Sequence, residues 1–169
     1  MRAWNFYANE AADHRGRTLK EILAWDDDAL EDEHDFIQWL FPLTERSGVN
    51  PNAPILSSEE MQLFHQSPEV QARVEAALHR MLNFYGLRLT ETEHTVRVEQ
   101  AANYSARRVN WMTRGNHNFL RITRILKSLR LLGLSGHAAA FFECLNKIFA
   151  EEREVIGSDT FGYWRRAAQ

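Results

Sequence analysis

The chain contains one cysteine, four prolines and eight glycines in 169 residues. With Cys144 alone, no internal disulfide can form, and a reducing, cytoplasmic or otherwise intracellular compartment is the default expectation. Arg, Lys, Asp or Glu interrupts every apolar stretch before it nears the roughly 20 residues that span a bilayer, so no integral membrane segment is expected. The start, Met1-Arg2-Ala3-Trp4-Asn5-Phe6-Tyr7, followed by Glu10 and Asp13, resembles neither a secretory leader nor an acid-poor transit peptide. There is no Gly-x-Ser-x-Gly, no phosphate-binding glycine loop and no His-Glu-x-x-His. No repeat of fixed period and no low-complexity tract occurs. These absences leave no legible active site, so the expectation is a non-enzyme that needs no cofactor and no metal.

What is present belongs to an ordinary globular protein: 44% hydrophobic, 25% charged, net charge −3. That length predicts a single domain over residues 1–169, with enough chain to bury a core. The distribution of charge says more than its sum. Asp26, Asp27, Asp28, Glu31, Asp32, Glu33 and Asp35 crowd together with no basic residue among them. From Gln100 to Phe142 there is no acidic residue, yet Arg107, Arg108, Arg114, Arg121, Arg124, Lys127 and Arg130 all occur. Solvated faces explain both stretches; a polarised surface for a charged partner is the alternative.

Helix signals dominate the local pattern. Thr18 with Glu21 reads as a capping box, Asp28 with Glu31 as a second, and Ser57 with Glu60 as a third. The second is expected to open a helix reaching Phe41 and closed by Pro42. Residues 43–56, with Gly48, Pro51 and Pro54, read as a long loop. Ser67 and Pro68 start a helix ending at Tyr85-Gly86, with Val70, Val74, Leu78 and Met81 on its buried face. Leu87-Arg88-Leu89 and Val96-Arg97-Val98 alternate, which allows one short β-hairpin near residues 87–98. Helices are expected over Gln100–Thr113, from Asn118 to Leu132, from Ser135 onward with Ala138, Phe141, Phe142, Leu145, Ile148 and Phe149 inward, and in a tail holding Phe161, Tyr163 and Trp164. The fold class is all-α, an irregular multi-helix bundle of about eight helices.

Three constellations could carry chemistry. Glu31-x-x-His34 and Glu91-x-x-His94 have the spacing of half a di-iron carboxylate site, which also needs a lone Glu from each of two further helices. Chance explains them better in a chain with seven histidines. Asn116-His117-Asn118 ahead of Arg121 and Arg124 could hold an anion at a helix start; a local cap is the simpler account. Trp25 and Trp39 flank the acidic stretch, and an acidic, aromatic-rimmed groove suits the amine and ring of a peptide. Cys144, on an apolar helical face, reads as core.

Several strings carry a family resemblance: Asn5-Phe6-Tyr7, Gly16-Arg17-Thr18-Leu19, Trp25-Asp26-Asp27-Asp28, the run from Glu31 through Ile37-Gln38-Trp39-Leu40-Phe41-Pro42, Ala53-Pro54-Ile55-Leu56, Met81 to Gly86, and Asn116 to Leu129. In this order they resemble the opioid growth factor receptor conserved region, over about residues 4–150 with a short helical tail beyond. The resemblance implies a receptor-type protein restraining cell proliferation, with Met-enkephalin as ligand and nuclear or membrane-associated placement. Animal members carry a long C-terminal extension with repeats; this chain resembles the bare conserved region.

The first expectation is therefore a non-enzymatic ligand- or peptide-binding module, whose ligand is a peptide or a small anion. Its candidate residues are Glu31, His34, Asp35, Trp39, Asn116, His117, Asn118, Arg121 and Arg124. An enzyme or anion-binding domain gathering His34, Asp35, His117, Arg121 and Arg124 into one pocket is the alternative. A nucleic-acid binder using the 107–130 basic stretch ranks last, because that segment must bury most of its helix.

Overall fold

The computed structural model describes residues 1–169 and is predominantly helical, with ten helices and one two-stranded antiparallel sheet. In order these are α1 (Arg2–Tyr7), α2 (Leu19–Leu23), α3 (Asp27–Asp32), α4 (Ile37–Leu40), α5 (Ser58–Gln66), α6 (Pro68–Tyr85), β1 (Leu87–Glu91), β2 (Val96–Gln100), α7 (Tyr104–Trp111), α8 (Asn118–Leu131), α9 (Ser135–Ile156) and α10 (Ser158–Ala168). Packing divides the chain into two compact units. The first takes Met1–Leu78 with Leu131–Gly133, the second His79–Arg130 with Leu134–Gln169.

In the first unit the capping boxes at Thr18/Glu21 and Ser57/Glu60 both form, each serine or threonine accepting from the N3 amide while the glutamate accepts from the cap amide. The device expected at Asp28/Glu31 does not. Asp26 is the cap instead, its Oδ1 accepting from Ala29 N at 2.8 Å. The helix it opens ends at Glu33, whose backbone turns extended (φ −85°, ψ 132°), so the long helix expected to reach Phe41 is two short ones. The cause is tertiary, for Glu33 and Asp35 are drawn into ion pairs with Arg15 and Arg17 from the preceding loop.

Aromatic rings fill the core here. Trp4 and Tyr7 meet Phe64 edge-on, and Phe6 lies 5.5 Å from Trp39. The Tyr7 hydroxyl donates to Leu40 O at 2.5 Å, and Arg73 Nη1 donates to Tyr7 O at 2.6 Å. The 43–56 loop is tied at its ends, Leu56 N donating to Leu43 O. Its Asn50 is buried and donates to Asp35 O and Gln38 Oε1. The chain returns at Leu131–Gly133, where Leu131 O lies 2.9 Å from His65 Nε2.

The second unit holds the hairpin, paired Leu87↔Gln100 through Glu91↔Val96. Gln100 is therefore strand, and the next helix starts at Tyr104, later than expected. Leu87, Leu89 and Val98 point inward while Arg88, Thr90, Arg97 and Glu99 are exposed, the alternation of a half-buried sheet. Gly86 enters the hairpin at φ +75°, and a Cβ there would stand 2.8 Å from Tyr104 Cα. Trp111 Nε1 donates to Tyr85 O and Trp164 Nε1 to Phe119 O, which satisfies both buried indoles. The inward face of α9 is as expected at Ala138, Phe141, Leu145, Ile148 and Phe149, while Phe142 is only half-buried. Cys144 is 4% exposed, so its reading as core holds, and burial pushes its thiol up to about 11.

Candidate functional site

The densest polar arrangement of the first unit centres on a loop that the sequence reading passed over. Between α1 and α2, residues 13–17 fold around the Asp13 carboxylate. Its Oδ1 accepts from the amides of Arg15 (2.8 Å) and Arg17 (2.9 Å), and its Oδ2 accepts from Arg17 Nε at 2.6 Å. Burial works to raise the Asp13 pKa. The hydrogen bonds from the Arg17 side chain and from both backbone amides outweigh it and hold the carboxyl below its ordinary value.

Arg17 then bridges outward. Its Nη2 donates to Asp35 Oδ1 at 2.8 Å, and its guanidinium lies 5.4 Å above the Trp25 ring. Arg15 Nη1 pairs with Glu33 Oε2 at 2.6 Å and reaches Asp35 Oδ2 at 3.5 Å. His14 lies between Trp39 and Asp35. It accepts from Trp39 Nε1 on Nδ1 (3.1 Å) and places Nε2 3.2 Å from Asp35 Oδ2. Indole N–H only donates, so Nδ1 must carry a lone pair and Nε2 the proton aimed at Asp35. The His14 and Trp39 rings lie side by side and nearly coplanar, their planes 8° apart, as an in-plane N–H···N bond requires, and Arg2 sits 4.9 Å over the Trp39 ring. A cavity of about 160 Å³ opens beside them, lined by Arg2, Asn5, Ala12, Asp13, His14 and Trp39.

Of the residues expected in this half, Asp35 and Trp39 join the cluster, linked through His14. Trp39 is nearly buried, so it forms a wall of the cavity rather than an exposed rim. Glu31 ends half-buried in the last turn of α3, and His34 is exposed beyond that helix. Glu31 and His34 thus do not share a helix face. Glu91 ends β1 and His94 stands in the hairpin turn, so neither Glu-x-x-His spacing builds a helical metal half-site. Asp13, His14, Arg15 and Arg17, which build this cluster, stand outside the candidates expected from sequence. Their signal was present: four ionisable side chains within five residues, directly ahead of the Thr18 cap.

Asn116, His117, Asn118, Arg121 and Arg124 belong to the second unit. Asn116 Oδ1 accepts from Asn118 N (2.9 Å) and Nδ2 (3.0 Å), while its own Nδ2 donates to Thr113 Oγ1 (3.0 Å). It is the cap that joins α7 to α8. Asn118 is fully buried, and its Oδ1 accepts from Arg121 Nη1 (3.3 Å) and from the Tyr85 hydroxyl (3.5 Å). His117 and Arg124 are half-buried. The basic stretch is dispersed rather than gathered on one exposed face. Arg121 is 5% exposed, Arg107 donates to Phe84 O, and Arg108 is paired with Glu152.

Fold and cluster together define a predominantly helical protein in which Asp13, Arg15, Arg17, Glu33 and Asp35 fasten a loop to short helices. The family model for the opioid growth factor receptor (OGFr) conserved region matches residues 1–168, and the chain belongs to that family. The match takes in α10, beyond the 4–150 span of the resemblance. The chain is 46% identical to the opioid growth factor receptor of Homo sapiens over 157 residues, covering 89% of this chain and 22% of the relative. It is 43% identical to the Mus musculus receptor over 155 residues, covering 89% and 23%. It is 39% identical to the opioid growth factor receptor-like protein 1 of Xenopus tropicalis over 146 residues, covering 85% and 27%. The chain thus spans about a quarter of the length of these relatives. No solved structure matches. No helix is long and apolar enough to cross a membrane.

Proposed function

We propose that this chain is a ligand-recognition module that binds a short peptide or small polar ligand without transforming it, and that the cavity beside His14 and Trp39 is the recognition point of the first unit. The observation that carries this reading is the placement of His14. Its ring is oriented from two sides, by the Trp39 N–H and the Asp35 carboxylate, and it forms one wall of an open cavity. A side chain held so by its neighbours is pre-organised for recognition, because little rotamer entropy remains to be lost on binding. About 160 Å³ accommodates one side chain or terminus of a peptide rather than the whole. Arg2 and Asn5 supply polar groups beside the Trp39 and His14 rings. The name of the relatives, receptor, supports the same class.

Trp39 makes the reading testable by intrinsic fluorescence together with calorimetry. Titration with Met-enkephalin, and with the same peptide acetylated at its amine, should give saturable heat and a change in emission. His14→Ala should weaken binding about tenfold, about 1.4 kcal/mol, through loss of the ring that walls the cavity and of its hold on Trp39. Absence of saturable heat up to millimolar peptide, with the protein folded, would remove Met-enkephalin as ligand. Unchanged affinity in His14→Ala for any peptide that does bind would move the site elsewhere.

A further inference from the structure

The second unit contains a groove that none of the residues discussed so far accounts for. It has a volume of about 460 Å³ and runs between the end of α9 and one face of α10. Asn146, Phe149 and Arg153 come from α9, and Ser158, Phe161 and Arg165 from α10. Spacings of three and four put Ser158, Phe161 and Arg165 on one face of α10 and Asn146 with Phe149 on one face of α9, whose backbone kinks at Glu152 just before Arg153. Phe149 and Phe161 form the floor, stacked with centroids 4.0 Å apart and planes 4° from parallel. Arg153 lies 5.2 Å over the Phe149 ring and Arg165 5.0 Å over the Phe161 ring.

The two guanidinium groups differ from others in the same unit. Arg88, Arg108 and Arg114 each pair with a glutamate. Arg153 and Arg165 are exposed, and their ring contacts are the only partners they have, with no carboxylate within 4.0 Å and no hydrogen-bond acceptor. No acidic residue lines the groove. Two planar donor forks thus flank an apolar floor with nothing anionic between them, which is charge complementarity to carboxylates.

We propose that the α9–α10 groove docks an acidic peptide segment bearing an aromatic or aliphatic side chain. The apolar side chain packs against the ring edges of Phe149 and Phe161 while neighbouring carboxylates meet Arg153 and Arg165. A peptide is favoured over nucleic acid because two cations about an apolar pocket do not track a phosphate backbone, which is held by a longer row of charges. The volume falls among those of small-ligand clefts, about 300–1,000 Å³. The proposal uses a different unit and different residues from the His14 cavity, so either can fail without the other.

The test is fluorescence anisotropy with a dye-labelled Gly-Glu-Glu-Phe-Glu-Leu peptide and a Gln-for-Glu counterpart. The acidic peptide is expected to bind saturably, the Gln peptide at least tenfold more weakly. Binding should fall as salt rises. The double variant R153Q/R165Q should bind the acidic peptide at least tenfold more weakly while its circular dichroism and thermal midpoint stay those of the parent. If that variant loses helical signal, R165E alone takes its place. No saturable binding up to millimolar peptide overturns the proposal, as does equal affinity for the Gln peptide or an unaltered affinity in a folded variant. Labelled single-stranded DNA that binds more tightly than the peptide, through the same arginines, also overturns it.

Discussion

Asp13 shows how much one side chain can hold. Its carboxylate closes a five-residue turn through two backbone amides and, through Arg17, ties that turn to Asp35. Losing the Asp13 charge leaves Arg17 still paired with Asp35 and costs about 1.5–3 kcal/mol, the range for hydrogen bonds to a charged group. Asp13→Asn should therefore lower stability at pH 7 by about that amount, measured by urea unfolding. The acid limb tests the electrostatic origin. The folded pKa is lowered from its ordinary value, so the carboxylate's contribution is complete above the unfolded value of about 3.9 and drains away as pH falls through the folded one. The gap between parent and variant should narrow below about pH 4. Curves that stay parallel through the acid range would mean that shape, not charge, holds the turn.

At the scale of elements, the connections carry the constraint. Six of the ten helices are between four and nine residues long, too short to persist alone in water. They stand because caps and packing hold them, as the formed boxes at Thr18 and Ser57 illustrate. Gly86 is the most demanding junction. A side chain there meets the left-handed backbone penalty and a clash with Tyr104 Cα at 2.8 Å and Arg107 Cβ at 2.9 Å. Gly86→Ala should cost about 2–4 kcal/mol, the sum of strain and overpacking. Gly115 has a similar φ of +69° but nothing within 4 Å of its added Cβ. Gly115→Ala should cost only about 1–2 kcal/mol, the backbone penalty alone. Thermal melts of the two variants side by side check the comparison; equal losses would show that the Tyr104 contact relaxes freely.

Across the whole molecule, the net charge of −3 conceals a division. The first unit has 6 Lys and Arg against 15 Asp and Glu, net −9, and the second 14 against 8, net +6. Exposed cations of the second unit include Arg114, Arg153, Arg165 and Arg166. A protein so divided presents a local positive field despite its negative sum. It should be retained on a sulfopropyl cation exchanger at pH 7 and low ionic strength, and released by moderate salt as screening shortens the field. Passage straight through the column would show that the basic side chains are neutralised within the fold.

The sequence by itself determined the family, the helical class and the elements that rest on local chemistry. Capping side chains at Thr18 and Ser57, the Ser67-Pro68 start of α6 and the period-two run at Leu87–Leu89 act within a few residues of themselves, so they can be read from neighbours alone. What tertiary structure decided was where those rules yield. The helix expected to reach Phe41 breaks at Glu33 because arginines 18 residues earlier claim Glu33 and Asp35. Gln100 is strand because Leu87 pairs with it across the hairpin. Asp35 and Trp39 were legible as candidates, yet the His14 between them was not, since its position depends on a loop folding back over 20 residues of chain. The Arg153–Phe149–Phe161–Arg165 arrangement was hidden for the same reason. Each helix supplies only half of it, and helical periodicity says which face a residue occupies but not which face it will meet.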